Sequence, residues 1–178
     1  VSAPAAGPIA PGGVRPERAL AALRAIEPAA RAFWLYDLDA FAARVTRLRA
    51  AFAGQEAHFA YALKANGLPA LVRAACAAGL EADAGSLGEL ELADACGFGA
   101  ARRTLSGNGR TPEEAAWVAS RGVARVSADH VGELELLEQA AREAGRTVSV
   151  SLRVNPGILG GGHEHLATGH ADAKFGIA

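Results

Sequence analysis

His58–Gly79 reads HFAYALKANGLPALVRAACAAG. Its first half is an apolar strand with one lysine, Lys64, at the far end. Asn66-Gly67-Leu68-Pro69 then starts a helix through Leu71, Val72, Ala75 and Cys76, and Gly79 ends it. The lysine stands out against the composition. Of 18 Lys and Arg residues only Lys64 and Lys174 are lysine. An amine can shed its proton and attack a carbonyl, whereas a guanidinium stays charged and non-nucleophilic. Lys64 is therefore either a nucleophile or an ordinary strand-end lysine reaching for water.

The strand-then-helix unit recurs down the chain. A short strand about Leu80–Ala84 leads to Ser86-Leu87-Gly88-Glu89, a Ser-x-x-Glu capping box for the next helix. Arg103–Ser106 is a third strand. Thr111-Pro112-Glu113-Glu114 is a second capping box with proline at the first helical position, and its helix stops at Gly122. Val123–Val126 is a fourth strand, after which Asp129 caps a helix through Leu134, Leu137 and Ala141, closed by Gly145. Thr147–Val154 (TVSVSLRV), valine-rich and alternating, is the fifth. Upstream, Glu17–Ala32 reads as a short helical segment and Phe33–Tyr36 as an apolar run with strand character. Asp37 then caps an amphipathic helix whose core stripe is Leu38, Phe41, Val45, Leu48 and Phe52.

Strand starts recur at roughly 21–25 residues, and that βαβα alternation predicts a parallel sheet with helices outside it. An open doubly wound sheet and a (β/α)8 barrel both satisfy the pattern. No Gly-x-Gly-x-x-Gly follows the first strand, which favours the barrel. A closed barrel needs eight units and about 250 residues. Five units make a partial (β/α)8 barrel.

Composition narrows the function classes. With net charge −1 and 51% hydrophobic residues, nothing argues for a nucleic-acid or anionic-membrane partner, and no apolar run approaches spanning length. Cys76 and Cys96 both sit in alanine-rich helical patterns and read as buried free thiols, which suits a reducing, cytoplasmic setting. Methionine is absent even from position 1, which leaves processing, excerption and an unusual start codon open. Residues 1–14 are rich in Pro, Ala and Gly and read as a flexible leader, not a signal peptide.

In parallel α/β folds chemistry collects where strands end and helices begin. Those positions hold Lys64, Asp83, Ser106 with Asn108, Ser127 with Asp129, and Arg153 with Asn155. Such a set suits an anionic, carbonyl-bearing ligand. Asp129 also reads as a helix cap, Ser86 and Glu89 as a capping box, and Asn108 as a turn former. Asp83 and Arg153 are charges at the ends of buried strands and require partners. His163-Glu164-His165, with His170, could chelate a metal, but the flanking glycines offer no rigid scaffold and no thiol or acidic cluster accompanies them. It reads as a mobile glycine-rich loop, with no metal site.

Four ordered segments resemble one family. Tyr61-Ala62-Leu63-Lys64-Ala65-Asn66 is similar to the Tyr-Ala-Val-Lys-Ala-Asn signature of the fold-type III pyridoxal-phosphate decarboxylases, which share an alanine-racemase-like barrel. Ala82–Leu90 resembles that family's Asp-x-x-Ser-x-Gly-Glu-Leu segment, and Leu152-Arg153-Val154-Asn155-Pro156 its Leu-Arg-Val-Asn-Pro strand. Thr168-Gly169 followed by Lys174-Phe175-Gly176-Ile177 is similar to a stretch of the diaminopimelate branch. Leu63 departs from the usual valine, and Gly85 and Leu87 vary within the second segment.

The resemblance implies a pyridoxal 5'-phosphate cofactor joined to Lys64, with Ala62 beside it, Asp83 in the hydrogen-bonding network near the lysine, and Arg153 reaching it from the fifth strand. It implies an amino-acid decarboxylase, foremost of meso-diaminopimelate to L-lysine and carbon dioxide. Ornithine, arginine or a carrier-bound amino acid are alternative substrates, and a truncated non-catalytic member or a racemase are other readings. A racemase should continue Tyr-Gly-His after Lys-Ala-Asn, where this chain has Gly67-Leu68-Pro69. It also implies that the family's cofactor-stacking histidine, glycine-rich phosphate loop, Glu-Pro-Gly-Arg segment and C-terminal β-domain would lie beyond Ala178. On that expectation residues 1–32 are a leader with a short helical segment, 33–178 are the first part of the barrel, and the full-length protein is a homodimer. This length alone would then not turn over substrate.

Overall fold

The computed structural model describes residues 16–25, 34–155 and 176–177. The leader expected at 1–14 and the glycine- and histidine-rich stretch at 160–170 lie outside the described residues. The chain divides into two compact units, Val1–Ala57 and His58–Ala178.

The first unit holds α1 (Pro16–Ala25) and α2 (Leu38–Ala51). Asp37 caps α2 as its position predicts, accepting the Ala40 N–H at 3.0 Å, and also meets Arg18 of α1 at 2.9 Å. Two expectations change here. Trp34–Tyr36 joins no ladder, and Trp34 is 88% exposed. A short apolar run gives too little periodicity to separate a strand from an extended linker. Of the expected core stripe on α2, Val45 is buried while Leu38, Leu48 and Phe52 are exposed.

The second unit alternates strand and helix. Its strands are β1 (Ala60–Ala62), β2 (Glu81–Ala84), β3 (Arg103–Leu105), β4 (Arg125–Ala128) and β5 (Val150–Leu152). Between them run α3 (Pro69–Ala77), α4 (Leu87–Ala95), α5 (Pro112–Arg121) and α6 (Val131–Ala144). All four strand pairings are parallel, and the order in the sheet is β1-β2-β3-β4-β5. That order decides what the repeat left open. A doubly wound sheet reverses direction at a switch point, whereas a barrel adds each strand beside the last. Here each strand follows its predecessor. A parallel bridge between Val154 and Ile177 extends the order one step beyond β5.

The register explains the packing. Ala82↔Arg103, Ala84↔Leu105, Leu105↔Val126 and Val126↔Val150 align one side of the sheet. On that side Ala84, Leu105 and Val126 meet Leu90, Ala115, Val118, Ala119, Leu137 and Ala140 from the helices. The alanines let the helices lie close, and burying each leucine contributes about 1.5–3 kcal/mol. Away from the strands' C-terminal ends, Arg103 stacks over Trp117 at 5.0 Å and donates to the Gly122 carbonyl at 3.1 Å. Arg102 donates to the Cys76 carbonyl at 2.9 Å.

Three sequence expectations shift within this unit. β4 starts at Arg125, two residues later than the valine pattern suggests. β5 has three paired residues where eight look strand-like. A parallel ladder is only as long as its neighbour, and β4 offers four residues. Finally, Asp129 does not cap α6. The N-cap is His130, without a side-chain cap bond, and Asp129 is buried one residue earlier. Both cysteines are free, but only Cys96 is buried, Cys76 being half-buried.

Candidate active site

Because the strands are parallel, their C-terminal ends and the loops that follow form one rim. Successive residues of a strand face opposite sides of the sheet. The side away from the helix-packed core therefore carries Ala62, Asp83, Thr104, Ser127 and Ser151. Barrel interiors are more often filled with branched apolar side chains. Here, toward the rim, they are small or polar, with Glu81 and Arg125 on the same side further back. Asp83 accepts a hydrogen bond from the Ser106 hydroxyl at 2.5 Å, and the Ser127 and Ser151 hydroxyls lie 3.4 Å apart.

Lys64 sits in a 3-10 turn, Leu63–Ala65, that follows β1 directly. Leu63 is 1% exposed and pins the turn from below, while Lys64 itself is exposed. The Tyr61 hydroxyl donates to the Asn66 carbonyl at 2.8 Å, and the Asn66 side chain accepts the Leu68 N–H at 2.9 Å. The apolar and amide residues flanking the lysine thus hold the backbone that carries it. Its amine remains reachable from solvent.

The loops after β2, β3 and β4 are held by glutamates at the third position after each N-cap. In α4 the Ser86 side chain accepts the Glu89 N–H at 3.4 Å, and Glu89 accepts the Gly85 N–H at 2.7 Å. In α5 the capping box is complete, and Glu114 also accepts the N–H of Leu87, the first residue of α4, at 2.9 Å. In α6 Glu133 accepts the Asp129 N–H at 2.7 Å and the Arg110 N–H, from the preceding loop, at 3.2 Å. Arg110 then donates to the Gly107 and Ser127 carbonyls at 2.8 and 2.7 Å. Each later glutamate ties its own loop to the βα connection before it, Glu114 at the start of α4 and Glu133 in the loop after β3.

Burial works against the Glu133 charge. The backbone N–H groups of Asp129 and Arg110, then the Arg110 guanidinium and His130, outweigh it and hold the carboxyl below its ordinary 4.5. A carboxylate with a depressed folded-state pKa contributes stability above its unfolded pKa and loses it as pH falls through the folded value. Glu133→Gln should therefore be less stable than the unaltered protein near neutral pH, with the gap closing below 4.5. Urea midpoints at about pH 7 and about pH 3 check this. An equal gap at both pH values would show that the charge is not what Glu133 contributes.

The structure places the four expected site residues along this rim without joining them all. Ala62 and Asp83 are register partners on adjacent strands, and Lys64 is two residues past Ala62. Arg153 lies just beyond β5, four strand spacings from β1, or about 19 Å along the sheet. It pairs with Asp129 at 3.3 Å. Sequence reading missed Arg110 and Glu133. The glutamate signal existed, but reading Asp129 as the cap puts Gly132 where a capping-box glutamate would be. A groove of about 380 Å³ lined by Leu134, Arg142, Arg146 and Val148 lies toward the strand starts, away from the rim residues. Among the described residues no cluster of three or more His, Cys, Asp or Glu could hold a metal, and no helix is long and apolar enough to cross a membrane.

Consecutive parallel βα units, with Lys64 in a hydrogen-bonded turn at the strand-end rim, make this the first part of a (β/α)8-type barrel. The family model described as pyridoxal-dependent decarboxylase, pyridoxal binding domain, matches residues 38–178, and the chain belongs to that family. It is 35% identical over 146 residues to diaminopimelate decarboxylase of Bacillus subtilis, covering 81% of this chain and 33% of that protein. It is 38% identical over 157 residues to the Deinococcus radiodurans diaminopimelate decarboxylase, covering 86% and 39%. The crystal structure of diaminopimelate decarboxylase from Helicobacter pylori complexed with L-lysine matches with a TM-score of 0.77 and 27% identity, over 88% of this chain and 39% of that one. The chain thus spans between 33% and 39% of the length of these relatives.

The cofactor class named by the family suits the donors present. Pyridoxal phosphate requires an amine for its aldehyde and hydrogen-bonding or charged groups for its ring and substituents. The rim offers an exposed lysine, a serine-bonded carboxylate and a half-exposed guanidinium.

Proposed function

We propose that the full-length protein is a pyridoxal-phosphate-dependent decarboxylase acting on meso-diaminopimelate, releasing carbon dioxide and L-lysine in lysine biosynthesis. The observation that carries this reading is the exposed lysine held in a rigid turn at the strand-end rim. The similarity to two diaminopimelate decarboxylases supports the substrate. When bound, pyridoxal phosphate supplies the electron sink for the pair left on the α-carbon as carboxylate departs.

The chain's own residues prepare that chemistry. Lys64 would hold the cofactor through its amine, which its exposed position leaves within reach of an aldehyde. Asp83, oriented by Ser106, hydrogen-bonds near the lysine, and Ala62 keeps the adjacent surface small enough for the ring. Arg153 approaches from the fifth strand with a charge complementary to an anionic ligand. On this reading residues 33–178 form the first part of the barrel domain, residues 1–32 precede it, and the protein works in the cytoplasm as a homodimer.

The full-length protein, supplied with pyridoxal phosphate and offered meso-diaminopimelate, L-ornithine, L-arginine and L-lysine separately, is expected to release carbon dioxide and L-lysine from meso-diaminopimelate alone. Release from ornithine or arginine in its place would move the protein to another branch. No release from any of them would remove the decarboxylase reading.

A further inference from the structure

Arg153 has its backbone fixed and its head group aimed. Its N–H donates to the Ala128 carbonyl at 2.9 Å, and its own carbonyl accepts the Ile177 N–H at 2.8 Å. The Arg153 side chain is 41% exposed, and Asp129 meets its guanidinium at 3.3 Å with a side chain only 6% exposed. Asp129 is not a helix cap, so its carboxylate is left over from any secondary-structure duty. One of its oxygens, Oδ1, is buried with no hydrogen-bond partner among the described residues. A buried carboxylate satisfied on one oxygen is a poor stabiliser, since desolvation offsets most of the attraction. Its backbone is nonetheless held hard, because the Asp129 N–H donates to Glu133, itself 2% exposed, which also grips Arg110.

We infer that Asp129 is a positioning residue that aims the Arg153 guanidinium at the cofactor, with Glu133 holding Asp129 in place. The inference rests on the proposed cofactor role of Arg153. Arginine is long and rotamer-rich, and a half-exposed one samples many directions unless something restrains it. A short buried carboxylate, immobilised through its own backbone, selects one direction before the ligand arrives. The unpartnered Oδ1 leaves room for the guanidinium to engage both oxygens, the fork geometry that suits this pair.

The test is a double-mutant cycle on pyridoxal-phosphate affinity, measured by titrating the apo form of the full-length protein. Arg153→Ala is expected to weaken binding about tenfold, the loss of one charge-assisted hydrogen bond. Asp129→Ala should weaken it by a similar factor, and the double variant no further than Arg153→Ala alone. Asp129→Asn, which keeps the shape, should fold normally and show an intermediate loss, so the cycle survives if the alanine variant does not fold. A purely structural Asp129 would lower the thermal midpoint and give losses that add in the double variant, or would leave affinity untouched. Either outcome overturns the inference while sparing Arg153. If Arg153→Ala itself leaves affinity unchanged, the cofactor assignment of Arg153 fails and the inference falls with it.

Discussion

Lys64→Arg in the full-length protein is expected to leave the thermal midpoint unchanged and to reduce turnover by about 10³-fold or more. Folding should survive because Lys64 is exposed and its turn is held by others: Leu63 from the core side and the Tyr61 hydroxyl on the Asn66 carbonyl. Arginine keeps the charge and similar length, so the electrostatics of the rim barely change. What it removes is the amine, and with it the covalent hold on a carbonyl cofactor. Reduction with borohydride followed by peptide mapping should label the peptide containing Lys64 in the unaltered protein and nothing in the variant. A label on another lysine, or normal turnover in the variant, would withdraw Lys64 from the site.

Gly107→Ala is expected to destabilise the protein by about 3 kcal/mol and to disorder the rim between β2 and β3. A Cβ at Gly107 would stand 1.9 Å from the Gly85 carbonyl oxygen and 2.7 Å from its carbon. Both partners are backbone, so no side chain can swing aside. The loops are also tethered: Gly85 by its N–H to Glu89, and the Gly107 carbonyl by the Arg110 guanidinium. Relief therefore requires breaking one of those bonds or parting β2 from β3, whose pairing ends at Ala84↔Leu105. Gly109→Ala provides the contrast, since its Cβ meets nothing within 4 Å and only its positive φ resists. Urea denaturation of the two variants should show the larger loss at Gly107. Equal losses would mean that the close approach is not what constrains this loop.

Much of the candidate site is readable from residue pattern because each part is local. The turn that presents Lys64 depends on residues within five positions of it. The Ser86 cap and the Thr111–Glu114 capping box each lie within a four-residue window, although Glu89 turns to the Gly85 N–H and leaves the first box half made. Asp83 and Arg153 stood out because charges at strand ends need partners. Their partners, Ser106 and Asp129, are 23 and 24 residues away, and nothing local names them. Asp129 was misread for the same reason. In sequence it precedes an apolar helix and looks like a cap; in space Arg153 claims its carboxylate and Glu133 its N–H.

Sequence by itself determined the units: parallel strands alternating with helices, the helix stops at Gly79, Gly122 and Gly145, and a lysine at the end of the first strand. Periodicity and capping are short-range physics, and a chain states them within a few residues of where they act. Tertiary structure alone decided the order of strands, which bears out the barrel that the missing Gly-x-Gly-x-x-Gly and the family resemblance favour. Either order satisfies the same local pattern, because the choice lies in which edge each returning strand joins. It alone also shortened β5 to the reach of its neighbour and assigned Glu133 and Arg110 to the rim. Those are pairings across more than twenty residues, settled only when burial leaves an N–H or a carboxylate with no other partner in reach.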